Sequence, residues 1–274
     1  MASRIDLHTH TTASDGTWEP VQLFDKAAEI GVQVLSITDH DTTAGFQAVL
    51  PLQDHYPLVR LIPGIELNAE GDLACHVLGY FIDPSSPGLQ NRLWTYRQFR
   101  EERMKAMVAK LGCLGIPVEF ERVLALAKGG VIGRPHLAAA LMEKKVVRSW
   151  KEAFQRFLKK DGPAYVPAEF PTASEVIETI RQAKGIPVLA HPSHDAGGIS
   201  LQRLVDQGLM GIEAYYPEHG RALTQRYLDL AKTYHLVVTG GSDCHGPRSH
   251  RSALACVEVP LDVLSGLEDV RGRV

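Results

Sequence analysis

Short, continuous apolar runs recur along the chain: "RIDL" (4–7), "VQVLSIT" (32–38), "LVRLIPGIEL" (58–67), "CHVLGYF" (75–81), "IPVLA" (186–190), "MGIEAYY" (210–216), "LVVTGG" (236–241) and "LACVEV" (254–259). They are rich in β-branched residues and do not alternate with polar ones. That is the pattern of parallel strands buried on both faces. Amphipathic stretches at 18–30, 172–184, 200–207 and 219–234 separate most of them and predict helices. "GVQV" and "GIPV" each place a glycine between a helix and the next strand, a helix-terminating signal. The alternation of β and α predicts an α/β fold built on a parallel sheet or barrel.

The rhythm breaks between about 87 and 165, where "LQNRLWTYRQFREERMKAMVAKLGCLG", "FERVLALAKGG", "GRPHLAAALMEKK" and "SWKEAFQRFLKK" read as helices without a strand. The expectation is a barrel formed by 1–86 and 166–274, with 87–165 as an inserted helical cap. In the basic helix, Glu101 and Glu102 interleave with Arg and Lys, which predicts a solvated, ion-paired face. Trp94, Tyr96 and Phe99 are read as packing residues, and Gly129 and Gly130 equally as a phosphate nest or as a loop before the "GRPH" helix.

Composition adds limits. The 274 residues are 45% hydrophobic and 22% charged, with a net charge of -3, an ordinary globular balance. A broad basic face for long duplex DNA is therefore not expected. No apolar run has the roughly 18–20 residues of a membrane span, and "MASRIDLHTH" lacks a signal-peptide core. A cytoplasmic location is expected. The four cysteines (Cys75, Cys113, Cys244, Cys256) are scattered without a CxxC pair, so buried free thiols are expected rather than disulfides.

Histidine changes the picture most. Twelve are present, and several share one kind of position with an acid. His8 and His10 follow "RIDL", and Asp15 lies five residues on; His40 ends "VLSITDH"; Glu66 ends "LIPGIE"; His191 follows "PVLA"; Asp243 and His245 follow "LVVTGG". His76 opens its run, so its place is less clear. In α/β barrels the C-terminal strand ends form the active face, so these groups converge on one rim. Residues two apart on a strand point the same way. This pairs His8 with His10 and Asp243 with His245, and turns Thr9 and Cys244 away. Asp41 is read as a cap with Thr42 and Thr43, Asp39 as a group that orients a ligand, and Asp6 likewise or as a pairing group inside the barrel. His55, His219, His235 and His250 are read as structural or surface groups, with His219 and His250 at the rim.

The ordered set HxH, Asp15, TDH, GIE, CHVLGY, AHP and SDCH, spread over residues 8–245, resembles the PHP (polymerase and histidinol phosphatase) family. With "GRPH" in its insertion, the chain is most similar to a bacterial subgroup of 3',5'-nucleotide bisphosphate phosphatases and 5'-to-3' exoribonucleases. The resemblance implies a distorted (β/α)7 barrel of PHP type and three divalent metal ions, favouring Mn over Fe or Zn. It assigns His8, His10 and Asp243 to one ion. Glu66 bridges it to a second, completed by His76 and His191, and Asp15, His40 and His245 hold the third. Mixed imidazole and carboxylate donors suit such ions. Paired ions neutralise phosphoryl oxygens and make hydroxide available near neutral pH, so attack by a metal-bridging hydroxide is expected. Arg134 and His136 of "IGRPHLA" would bind phosphate over the metals, and His194 of "HPSH" would bind phosphate or protonate the leaving oxygen. The expected substrate is a small nucleotide, such as a 3',5'-bisphosphate, or the 5' end of a short RNA. Histidinol phosphatase activity and a non-catalytic interaction module are the alternatives.

Overall fold

The structure, a computed structural model, describes residues 4–71, 73–167, 170–192, 201–247, 249 and 251–272. Seven strands form one sheet in sequence order: β1 (Arg4–Asp6), β2 (Val32–Ile37), β3 (Arg60–Ala69), β4 (Cys75–Tyr80), β5 (Ile186–Leu189), β6 (Gly211–Tyr215) and β7 (Val237–Gly240). The first and last strands meet: Leu7 N–H donates to Gly240 O at 3.3 Å, and Thr9 bridges Cys244 in parallel. Helices α1 (Pro20–Glu29), α2 (Ala44–Val49), α7 (Ala173–Gln182), α8 (Leu201–Asp206) and α9 (Arg221–Tyr234) fall where the periodicity predicts helix or follow a strand, and α10 (Asp262–Arg271) closes the chain.

Two strand expectations are corrected. β4 pairs antiparallel with both β3 and β5. Residues 70–74, which join β3 to β4, are too few for the crossover a parallel pair needs. "LACVEV" forms no strand; its loop is held from below, where Ala255 N–H donates to Asp6 Oδ2 at 2.7 Å. The glycine signals also divide. Gly31 takes a left-handed φ of +77° after α1, as a terminating glycine should. After α7 it is Lys184 that adopts φ +59°, and Gly185 is needed because a Cβ there would lie 2.5 Å from Ile82.

Between β4 and α7 the chain carries α3 (Pro87–Cys113), α4 (Phe120–Ala127), α5 (Arg134–Glu143) and α6 (Trp150–Ala153), which runs into a π-helical turn, Phe154–Leu158. These helices share an apolar cluster whose buried members, among the described residues, run from Met104 to Ala164 and include Met107, Leu111, Leu137 and Leu141. Each such fully buried side chain stabilises by about 1.5–3 kcal/mol. The sheet has separate cores. Ile5, Val34, Ile62, Leu78, Tyr80 and Val188 pack beneath the strand ends together with Val263 and Leu267 of α10.

Capping fixes where the key helices begin. Thr172 and Glu175 form a reciprocal box at the start of α7, with Thr172 N–H donating to Glu175 Oε2 at 2.8 Å. At α5, Gly133 N–H donates to His136 Nδ1 at 3.0 Å. Trp94 is exposed, against the packing expectation, whereas Tyr96 is buried and Phe99 packs on the core. Cys75 and Cys244 are buried free thiols, and Cys113 and Cys256 are exposed ones.

Candidate metal centre

All nine metal-ligand candidates converge at one end of the sheet. His8 and His10 leave β1 side by side: their Nε2 atoms lie 3.3 and 3.2 Å from Glu66 Oε2, and 3.5 and 3.2 Å from Asp243 Oδ1. Thr9 turns away and donates to Ser36 O at 2.8 Å. His40 pairs in register with Glu66, and its Nδ1 lies 3.2 Å from Glu66 Oε2. His76 and His191 reach the other oxygen: Glu66 Oε1 is 2.9 Å from His76 Nδ1 and 3.1 Å from His191 Nε2. His245 Nε2 lies 3.4 Å from Asp15 Oδ1. Because β4 runs backwards, His76 near its start lands on the rim where the parallel strands end.

Four donor groups follow: His8–His10–Asp243, His8–Glu66–His191, His40–Glu66–His76, and His10–Asp15–His40–His245. Within each, the ligand atoms lie within 4.8 Å of one another. His8 Nε2, both ring nitrogens of His10 and His40 Nδ1 are buried without a hydrogen bond. Buried polar atoms are normally satisfied, so lone pairs aimed at shared points in a nitrogen and carboxylate set fit divalent ions. Burial alone would raise the carboxyls of Asp15, Glu66 and Asp243, but the histidines around them hold all three well below the usual carboxylate range. Burial opposes charge on His10, but Asp243 and Glu66 lift its pKa to about 10.

Residues outside the ligand set hold it in place. Glu213 is wholly buried: Oε1 accepts from His8 Nδ1–H at 3.0 Å and Oε2 from His191 N–H at 2.8 Å. Tyr216 donates to Asp243 Oδ2 at 2.9 Å, and Arg251 pairs with the same oxygen. His191 and Asp243 sit at φ +26° and +51°, strained for residues with a Cβ. The Asp39 side chain accepts from Thr11 N–H, Thr11 Oγ1 and Ser14 Oγ, each at 2.7 Å, and so shapes the loop that carries Asp15, while its backbone O accepts from Glu66 N–H at 3.3 Å. Asp6 ties the two loops together: Oδ1 accepts from His8 N–H at 3.3 Å, and Oδ2 accepts from Ser242 Oγ at 2.6 Å.

Asp41 caps no helix. It is buried and ion-paired with Arg100 of α3 at 2.5 Å, while Arg100 Nη2 donates to Asn68 Oδ1 at 3.1 Å. The α3 face expected to be solvated thus turns Arg100 and Arg103 into a cavity of about 530 Å³, which opens over the cluster. Asp15, His40, His76 and His245 lie on one side of that cavity. Arg134, Met104, Met107, Trp150, Phe154 and Phe170 also line it. His136 lies elsewhere, in a smaller cavity with Asp15 and Lys128. Its ring bonds the backbone of Gly133 and Ser14, so it clips α5 to the Asp15 loop instead of facing the large cavity. His194 and His250 lie outside the described residues. His219 is buried, its Nδ1 bonded to Ala214 O at 2.9 Å, and His55 and His235 lie apart from the cluster on the 50–55 turn and the end of α9.

A seven-stranded α/β sheet with a shared histidine and carboxylate cluster at its strand ends defines a class of metal-binding proteins. The PHP domain matches residues 6–163. The chain is 33% identical over 249 residues to the 5'-3' exoribonuclease Rnm of Salmonella typhimurium, covering 88% of this chain and 85% of the relative. It is 33% identical over 246 residues to a phosphoribosyl 1,2-cyclic phosphate 1,2-diphosphodiesterase of Eggerthella lenta, covering 88% and 94%. Over 254 residues it is 30% identical to a 3',5'-nucleoside bisphosphate phosphatase of Chromobacterium violaceum, covering 89% and 88%. A solved structure from Bifidobacterium adolescentis, provisionally described as a metal-dependent phosphoesterase, superposes with a TM-score of 0.90 at 31% identity, covering 99% and 97%. The chain belongs to the PHP domain family. Among the described residues, no helix is long and apolar enough to cross a membrane.

Proposed function

We propose that the chain hydrolyses phosphate esters of nucleotides, either 3',5'-nucleotide bisphosphates or the 5' ends of short RNAs, at a centre of three divalent ions. The chain is a hydrolase of phosphoric ester bonds, the activity class shared by its relatives and structural neighbour. The observation that carries the reading is how Glu66 divides its oxygens. Oε1 serves His76 and His191, whereas Oε2 serves His8, His10 and His40. That is the geometry of a bridging carboxylate. It supports His8, His10 and Asp243 for one ion and Glu66 with His76 and His191 for a second, while the separate grouping of Asp15, His40 and His245 supports a third, with manganese the preferred metal. When bound, such ions neutralise phosphoryl oxygens and supply hydroxide near neutral pH.

Charge supports a multinuclear centre. The cluster holds three carboxylates, Asp15, Glu66 and Asp243. Against these three carboxylates alone, one divalent ion leaves a net negative charge that repels a phosphate ester, whereas two or three leave it net positive. The chain's own residues do the rest. Glu213, Tyr216 and Arg251 fix the ligands, Arg134 binds phosphate from the cavity wall, and His194 is the proposed proton donor to the leaving oxygen. Residues 87–165 serve as a cap that roofs the cavity.

The test offers the Mn-loaded protein adenosine 3',5'-bisphosphate, a 5'-phosphorylated RNA oligonucleotide, phosphoribosyl 1,2-cyclic phosphate and histidinol phosphate. Phosphate release from the first or mononucleotide release from the second supports the reading. Turnover of only the third or fourth overturns the nucleotide assignment. No turnover with metal bound points to an interaction module.

A further inference from the structure

The helical segment carries its charges unevenly. Residues 144–160 hold seven lysines and arginines against one acid, Glu152, in a chain of net charge -3. Glu152 is used within the stretch: Oε1 pairs with Arg156 Nη1 at 2.6 Å, and Oε2 accepts from Arg148 N–H at 2.8 Å. Lys144, Lys145, Arg148, Lys151, Lys159 and Lys160 are all exposed, and among the described residues none of them makes a salt bridge. Three other exposed cations of the segment are paired: Lys105 with Glu102 at 2.8 Å, Arg122 with Glu143 at 2.6 Å and Lys128 with Glu19 at 3.4 Å.

The six unpaired charges belong to one compact unit that borders the large cavity. Val147, Ala153, Phe157 and Leu158 are buried in the core of the helical segment, which leaves the charged positions between them outside. Arg156 Nη1 also donates to Val146 O at 3.0 Å, tying the turn at 154–158 back to the loop before α6. The stretch meets the cavity twice. Lys151 lines it beside Trp150 and Phe154. Leu158 O accepts from Arg134 Nη1, on the cavity wall, at 3.4 Å, and Lys159 and Lys160 follow directly. Like charges gathered on one surface repel one another and attract a polyanion. A cavity of about 530 Å³ is in the range for one drug-sized ligand. It takes about one nucleotide, so the rest of an oligonucleotide lies outside its mouth.

We propose that residues 144–160 form an outer binding surface for the 3' continuation of a single-stranded RNA whose 5' nucleotide occupies the cavity. This rests on the nucleotide reading above and chooses within it: an RNA is held by cavity and outer surface together, whereas a 3',5'-bisphosphate fills only the cavity. The contacts are to phosphates, so they favour length and not sequence.

The test uses the Mn-loaded full chain with 5'-phosphorylated, 3'-labelled RNA, a dinucleotide and a decanucleotide. Stopped-flow anisotropy reads binding before turnover, and a gel reads hydrolysis. If the surface neutralises about three phosphates, raising the salt from about 50 to 200 mM should weaken decanucleotide binding about 10- to 20-fold more than dinucleotide binding. The double variants Lys144→Gln with Lys145→Gln and Lys159→Gln with Lys160→Gln should each lose much of the length advantage and lower the salt slope by up to about 1.4. Lys159→Arg with Lys160→Arg should retain both. Arg226→Gln with Lys232→Gln, on α9, removes the same charge and should change neither.

No length advantage in the wild type, equal losses for both RNAs, or the same loss in the α9 variant overturns the surface. Equal displacement of the decanucleotide by polyglutamate of the same charge overturns RNA as its occupant. A lysine-dependent length advantage without hydrolysis of either RNA overturns the RNA substrate and leaves the surface standing. Hydrolysis of the decanucleotide at the same rate in wild type and both glutamine variants, at limiting RNA, does the reverse.

Discussion

Glu213→Gln tests whether the buried shell around the metal cluster sets its affinity. Glu213 is wholly inaccessible, and its two oxygens accept from two donors: His8 Nδ1–H at 3.0 Å and His191 N–H at 2.8 Å. Glutamine keeps the volume but offers only one acceptor oxygen; its other terminus donates. Whichever way the amide turns, one buried donor faces another. If His191 N–H loses, the strained backbone at φ +26° is released. If His8 loses, its Nε2 is no longer aimed at Glu66 and Asp243. Leaving one such donor unsatisfied costs about 1–3 kcal/mol, and loss of an outer hydrogen bond to a metal-binding histidine typically weakens metal binding about 10- to 100-fold.

The assay is competition for Mn against a chromogenic chelator, with metal content counted by mass spectrometry. Thr179→Val is the control. Thr179 is also buried, and its hydroxyl donates to Glu175 O at 2.7 Å, but it touches no cluster residue. Wild-type affinity in Glu213→Gln, or an equal loss in Thr179→Val, would refute the argument. With metal in large excess, Glu213→Gln should recover most of its turnover, because the substrate cavity is unaltered.

Arg100→Met strands the buried Asp41 carboxylate and should destabilise the protein by about 3–5 kcal/mol in urea denaturation, with partial rescue by Asp41→Asn in the double variant; a loss below about 1 kcal/mol would show that the pair is not buried in solution. Gly241→Ala places a Cβ 2.5 Å from that of His8, so it should cost about 1–3 kcal/mol and lower metal content together; unchanged Tm and metal content would contradict the packing. Metal uptake should release protons in a weakly buffered indicator assay at pH 7–8. His10 has a pKa raised to about 10 in the metal-free protein, so it holds a proton below that pH and must lose it to bind an ion. Affinity should therefore fall as the pH drops, and uptake without proton release would show the ring to be neutral. Chelation should lower Tm reversibly, since an ion at 100 times its Kd contributes about 2.7 kcal/mol; a metal-stripped protein with an unchanged Tm would disprove coupling between the cluster and the fold.

Most of the clustered residues were legible because they are strong ligand types at the ends of apolar runs, and strand ends of an α/β sheet share a rim; Asp15, in the loop after β1, and His76, at the start of its run, were placed by the ordered motifs of the family resemblance. The residues that hold them were not legible. Glu213 and Tyr216 both lie within "MGIEAYY", where an acid and a tyrosine read as ordinary strand residues. Only the sheet order, which sets β5 beside β6, brings Glu213 to His191. Arg100 and Arg103 were masked by a local rule. Interleaved charges on a helix predict pairing along that helix, but Arg100 found a buried partner 59 positions away, and no local pattern reports such a contact. Asp41 followed the same course, because its Thr neighbours made a cap the economical reading. "LACVEV" had the composition of a strand, but the first and last strands already meet at Leu7 and Gly240, which leaves it no place in the ladder.

The reversed strand β4 ties the departure from βα rhythm to the site. His76 is the second residue of β4. In a parallel strand it would sit at the far end of the sheet, about 13 Å from the rim at roughly 3.3 Å per residue. Reversal brings it within 2.9 Å of Glu66. It also lets the β3–β4 hairpin continue past Glu66 to Ala69 and Cys75, so the hairpin overhangs the rim. Asn68 lies on that overhang, opposite His76 in the ladder, and Arg100 donates to it from α3. The same short connection thus completes the ligand set and gives the helical segment a place to dock. A connection long enough for a crossover would remove both.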